Sequence, residues 1–242
     1  MIETRQRVAL VTGGEQGIGR GVAELLDASG WSVHVTYRSA DKGEAAAERL
    51  GSERAHRGDF LRPDDAARVV GEVVAAEDRL DAVVHAIGPY ATGPLVETAS
   101  STFEEMYRGN VLTAVHLIDA ARPHVRASRG AYVFFGVAGL DRWRARRVTA
   151  AYVGAKAALL NLVRAFALDE AEHGVRVNMI SPGFVPHEGA APDTLSDDLH
   201  EQIPIGGPAS LAEVAGAARW LLSEEATHVV GQNLEVAGGW ML

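Results

Sequence analysis

The sequence predicts an α/β protein whose core is a doubly wound sheet of about seven parallel strands with helices on both faces. Three observations point there. Short apolar runs of strand length alternate with longer Ala-, Leu- and Val-rich stretches whose polar residues recur at helical intervals. Glycine and proline stand at the joints. A chain of 242 residues, 47% hydrophobic and 23% charged, suits one α/β domain over residues 1–242.

Taken in order, strands are expected over residues 7–12, 32–36, 81–86, 131–135, 175–180 and 233–236, with a weaker one near 54–57. Each is rich in Val, Ile, Phe or Tyr, or sits between two helical stretches. Helices are expected over 18–28, 42–50, 63–77, 101–126, 150–173 and 210–223. Gly30 and Gly174 close two of them, and Pro63 opens a third where its missing N–H does no harm. The longest irregular stretch, about 184–207, is rich in proline and glycine and reads as a flexible flap over a substrate.

Charge and composition narrow the function. With 23 Lys+Arg against 32 Asp+Glu, the net charge of -9 repels phosphate backbones and anionic lipid, so neither nucleic acid nor a membrane is expected as a partner. There is no cysteine, which removes disulfides, thiolate metal sites and thiol nucleophiles. The 9 histidines form no HxH or HxxxH cluster, so no metal is expected. The apolar stretch at 8–11 is too short for a signal-peptide core, and a cytoplasmic protein is expected.

The first strand runs into Thr12-Gly13-Gly14-Glu15-Gln16-Gly17-Ile18-Gly19, and a helix follows. Glycines there let the backbone approach a pyrophosphate, while the new helix offers free N–H groups and its positive end. A Rossmann-type dinucleotide site is expected. At the end of the second strand stand Tyr37, Arg38 and Ser39, with no acid before Asp41. A guanidinium and a hydroxyl suit a 2′-phosphate, which favours NADPH over NADH; Arg38 as a solvated loop residue is the alternative.

Tyr152 and Lys156 lie four apart on one face of a helix, where an ammonium could lower the phenol pKa toward the working range. TGxxxGxG at 12–19, YxxxK at 152–156, Ser181-Pro182-Gly183, and the closing segment from Gly231-Gln232 to Gly238-Gly239 together resemble the short-chain dehydrogenase/reductase family, along nearly the whole chain. The resemblance implies that Tyr152 protonates a substrate carbonyl, that Lys156 holds the nicotinamide ribose, and that Asn110 bends its helix and binds a relay water. It also implies cofactor contacts from Asp59, Gly88, Pro182, Gly183 and Val185. For Asp59, capping of the helix at Pro63 is an equal alternative. The nearest analogy is reduction of a 3-oxoacyl thioester, and the family's assemblies imply a homodimer or homotetramer.

The family's catalytic serine has no counterpart. Gly136 stands in its place, and no Ser or Thr occurs from 131 to 148. Three readings follow: an enzyme using Tyr152, Lys156 and Asn110; a pteridine-reductase-like site in which Asp141 reaches in; or a silent NADPH-binding sensor or scaffold. Trp143 joins Gly136 and Asp141 as a substrate candidate. Arg142, Arg144, Arg146 and Arg147 form a basic run that either steers an anionic, carrier-linked substrate or is merely solvated. His85 reads as a packed structural histidine. His187 either replaces the family's threonine at the nicotinamide carboxamide or faces solvent.

Overall fold

A computed structural model describes residues 6–142, 146–186 and 201–242. Seven strands form one sheet: β1 (Val8–Thr12), β2 (Ser32–Tyr37), β3 (Ala55–Arg57), β4 (Ala82–His85), β5 (Ala131–Phe135), β6 (Arg176–Pro182) and β7 (Asn233–Val236). Their spatial order is β3-β2-β1-β4-β5-β6-β7, and every neighbouring pair is parallel. The helices that flank the sheet among the described residues include α1 (Gly17–Ala28), α2 (Ala40–Leu50), α3 (Pro63–Glu77), α4 (Ser100–Tyr107), α5 (Thr113–Ser128), α6 (Ala150–Ala171) and α7 (Leu211–Leu222).

The period of two along each strand divides the core. Val8 and Leu10 enter the layer with α3, α5 and α6, whereas Ala9 and Val11 enter the layer with α1, α2 and α7. Because both faces are covered, β1 is buried at every position, which is why the strand reads as an unbroken apolar run. Chain order reverses between β1 and β4. At such a switch point two loops part beyond the strand ends and leave a crevice.

The expected helix over 101–126 is broken. A π-helical segment, Arg108–Leu112, separates α4 from α5. Side chains explain the break: Asn110 Nδ2 donates to the Met106 carbonyl at 2.9 Å, and Thr113 Oγ1 donates to the Gly109 carbonyl at 2.8 Å. These hydroxyl and amide donors compete with the helical N–H groups for the same carbonyls. The other elements shift by a residue or two at their ends, as fraying and capping allow. Helix α6 is the one among the described residues long and apolar enough to cross a membrane. One of its faces packs on the sheet through Leu159, Val163 and Ala167, as in the core helix of a sheet protein.

Candidate active site

A cleft of about 1320 Å³ opens beyond the carboxyl ends of β1, β4, β5 and β6. That volume exceeds the usual range for one small ligand, about 300–1,000 Å³, and suits a dinucleotide with a second molecule beside it. Of the residues singled out from sequence, Gly13, Gln16, Gly17, Ile18, Gly19, Tyr37, Arg38, Ser39, Asp59 and Gly88 line it. So do Gly136, Tyr152, Lys156, Pro182, Gly183 and Val185.

The nucleotide half is shaped by backbone. Gly13 has φ +70°, and a Cβ there would sit 3.0 Å from the Ala86 carbonyl oxygen. A Cβ on Gly19 would collide with the Gly13 carbonyl. Gly14 does not line the cleft; it packs beneath it, where a Cβ would meet Val35 Cγ1 at 2.7 Å. The strand-to-helix turn is therefore pressed against its neighbours, and the first N–H groups of α1 face the crevice. A pyrophosphate fits this cradle.

Around the ribose end stand Arg38, Ser39 and Lys42. Lys42 Nζ donates to Gln16 Oε1 at 2.6 Å, and the Ser39 hydroxyl bonds Asp41. Lys42 was missed in the sequence; on a helical stretch it reads as a solvated residue, and only the packing of α2 turns it to the turn. Glu15 shares this corner. Burial raises its carboxyl pKa, while Lys42 and Arg38 pull it down, and Oε2 is buried without a hydrogen-bond partner. Asp59 accepts from the Leu61 N–H at 3.1 Å, and the N-cap of α3 is Arg62, so Asp59 does not cap that helix.

The other half converges on Tyr152. Lys156 is buried; its Nζ donates to the Phe135 carbonyl at 2.8 Å and lies 5.7 Å from the centroid of the Tyr152 ring. Desolvation lowers Lys156 to a pKa of about 7. The expectation of a lysine-lowered phenol is corrected here. Burial pushes Tyr152 upward, and the cation that pulls it back is Arg146.

Asn110 lies fully buried behind Gly88, outside the cleft wall. Its amide nitrogen bonds the Pro89 and Met106 carbonyls, and its Oδ1 is buried without a partner. A Cβ on Gly88 would run into Asn110 Oδ1 and stand 3.1 Å from Lys156 Nζ. Glycine is thus required where Asn110, Lys156 and the cleft meet. His85 is buried as expected: its Nε2 is 3.1 Å from Thr113 Oγ1 and its ring packs on Phe134. Burial, helped by the nearby Lys156, lowers its pKa to about 3.

Asp141 does not reach the cleft, which corrects the reading that it replaces the serine. Its Oδ1 accepts from Arg164 Nη2 at 2.5 Å and its Oδ2 from Asn233 Nδ2 at 2.8 Å. Asn233 in turn accepts from the Ser181 hydroxyl at 2.6 Å. Ser181 fills the room beside Gly136: a Cβ there would collide with Ser181 Oγ and stand 2.7 Å from Met179 Sδ. Trp143, Arg144 and His187 lie outside the described residues, as does 187–200 of the expected flap.

Residues 13–241 match the family model described as Enoyl-(Acyl carrier protein) reductase. The chain belongs to the short-chain dehydrogenase/reductase family. It is 33% identical over 244 residues to an L-fucose dehydrogenase of Bos taurus, covering 96% of this chain and 88% of that protein. It is 27% identical to a 3-oxoacyl-(acyl-carrier-protein) reductase of Staphylococcus epidermidis, covering 96% of this chain and 97% of that one. Among solved structures, a short-chain type dehydrogenase/reductase from Mycobacterium ulcerans superposes with a TM-score of 0.91 at 32% identity, over 98% of this chain and 90% of that one. Members of the family use NAD(P) cofactors, and an oxidoreductase fits the cleft.

Proposed function

We propose that the protein is an NADPH-dependent reductase of a ketone or 3-oxoacyl-thioester carbonyl, with Tyr152 as proton donor. One observation carries the reading: Tyr152, Lys156 and the glycine cradle open on the same cleft. Gly13 and Gly19 would receive the pyrophosphate, Arg38 and Lys42 the 2′-phosphate, and Lys156 the nicotinamide ribose. When bound, the cofactor supplies hydride to the carbonyl carbon. Burial keeps the Tyr152 phenol protonated at neutral pH, the state from which it can give a proton to the carbonyl oxygen. Lys156 offers N–H donors, and Asn110 a buried unpartnered Oδ1, for proton return.

The test is a cofactor titration followed by NADPH oxidation over a panel of ketones and 3-oxoacyl thioesters. Expected are turnover of at least one carbonyl, its loss in Tyr152→Phe, and unchanged NADPH affinity in that variant. Tight NADPH binding with no turnover of any carbonyl would leave the silent binder, the reading that the hydroxyl-free Gly136 favours. For the cofactor, Arg38→Ser is expected to weaken NADPH about 10-fold, the scale of one charged hydrogen-bond pair, and to leave NADH unmoved. The carboxyl of Glu15 is the observation that favours NADH; NADH binding tighter than NADPH in the unaltered protein would decide for it.

We also propose that two or four copies associate through α4, α5 and α6. Helix α6 leaves Leu168 79% exposed on its outer side. Light scattering coupled to gel filtration checks this; a monomer at assay concentration rejects it.

A further inference from the structure

The described arginines of the run after β5, Arg142, Arg146 and Arg147, do not act as one patch. Arg142 is spent on Glu235 at 2.9 Å, and Arg147 is exposed. Among the described arginines of the run, Arg146 is the one that lines the cleft, together with Tyr152 and Gly136. Its Nη2 donates to the Ala138 carbonyl, and its guanidinium lies 5.1 Å from the centre of the Trp240 ring. In the same cleft the Tyr90 and Tyr152 rings meet edge to face at 4.9 Å.

The guanidinium is costly where it stands. Burial works against its charge, and both phenols and Glu235 act on it electrostatically. Yet no carboxylate among the described residues pairs with it. Glu235, the nearest acid by that interaction, gives one oxygen to the Gly139 N–H at 2.7 Å and the other to Arg142. A partly buried guanidinium bonded to one neutral carbonyl has planar N–H donors left over, and the group that matches them in shape and charge is a carboxylate. The acids on α4 that border the cleft, Glu104 and Glu105, are exposed.

We infer that Arg146 is the anchor for a carboxylate carried by the substrate close to its carbonyl, so that the preferred substrates are small oxo acids. This deepens the reductase reading and names its substrate class. The carboxylate would lie between the Arg146 fork and the Tyr90 side of the cleft, with the carbonyl toward Tyr152. Orientation then comes from an ion pair, in a site where position 136 has no hydroxyl to supply it.

Acetoacetate and its neutral methyl ester are the probes. Calorimetric titration of the NADP⁺ complex measures binding without turnover, and NADPH oxidation measures kcat/KM for each probe. The unaltered protein is expected to favour the acid over the ester at least 10-fold. Arg146→Gln is expected to weaken acetoacetate binding at least 10-fold and to move binding of the ester and NADPH by less than 2-fold; kcat/KM, in which Tyr152 also loses a neighbouring cation, should fall at least 10-fold further for the acid than for the ester. Arg146→Lys should recover part of the acid preference. Ester favoured over acid in the unaltered protein, or acid and ester falling together in Arg146→Gln, would overturn the inference. Acid-selective binding that depends on Arg146, without turnover, would leave the anchor standing and remove the reductase reading. Should Arg146→Gln not fold, the acid-to-ester ratio of the unaltered protein and of Arg146→Lys decides alone.

Discussion

The two halves of the cleft are built differently. The nucleotide half is centred on one continuous segment, β1, the turn and α1, whose shape is enforced by backbone pressed on backbone at Gly13, Gly19 and Ala86, with Arg38, Ser39 and Lys42 added at its rim. The substrate half gathers single side chains from the π-helical segment, the β5–α6 connection, α6 and the segment after β7: Asn110, Arg146, Tyr152, Lys156 and Trp240. Rigid backbone suits a constant ligand such as pyrophosphate. Side chains on loops can vary without disturbing the sheet, which is where substrate choice is expected to reside.

The contrast makes the nucleotide half the more fragile. The largest effect is expected from Gly19→Ala, whose new methyl meets the Gly13 carbonyl in backbone that cannot swing aside. NADPH affinity should fall by about 100-fold, or roughly 3 kcal/mol, as measured by fluorescence titration. A drop of less than 3-fold would mean that the turn is softer than its packing indicates.

A middling effect tests the substrate half. Gly136→Ser places a hydroxyl at position 136, but its Cβ would crowd Ser181 Oγ, Met179 Sδ and Leu140 Cδ1. Overpacking of this kind costs about 1–3 kcal/mol, so Tm should fall by roughly 2–10 °C. Turnover should not rise. Adding Ser181→Ala should recover much of the lost Tm. A serine at 136 that raises kcat without loss of stability would show that the hydroxyl's place is open after all.

The effect that is smallest at neutral pH concerns His85, buried against Phe134. Its folded pKa of about 3 lies below the ordinary 6.5, so the unfolded chain takes up the proton first as pH falls. Stability from this group is intact above about pH 6.5 and declines toward pH 3, by on the order of a few kcal/mol in total. His85→Asn should therefore flatten the acid limb of a denaturation series between pH 6.5 and 4. An unchanged slope would assign that limb to other groups.

Legibility followed the same division. The strands, the α1 turn and the Tyr152–Lys156 pair were readable because each is fixed by local spacing: period two, a glycine interval, one helical turn. The doubly wound parallel sheet followed from alternation of elements, but the place of its switch, between β1 and β4, was not read from them. The π-helical break was not readable, since it depends on where Asn110 and Thr113 send their side chains. Arg146 and Asp141 lie five residues apart in one connection, and nothing in their sequence indicates that the arginine turns into the cleft while the aspartate turns to Arg164 and Asn233. Such choices are made by partners nearly a hundred positions away, Asn233 for Asp141 and Trp240 for Arg146.

Everything functional rests on a carbonyl being held between Tyr152 and the ring end of a dinucleotide laid on the glycine cradle. The direct measurement is transfer of deuterium from NADPH labelled at C4 of the nicotinamide, followed by NMR of the alcohol formed from acetoacetate or from the best ketone of the panel. The account requires label on the former carbonyl carbon with the unaltered protein and none above background with Tyr152→Phe. Label arriving equally with both proteins would contradict the role of Tyr152, and label with neither would contradict the reductase itself.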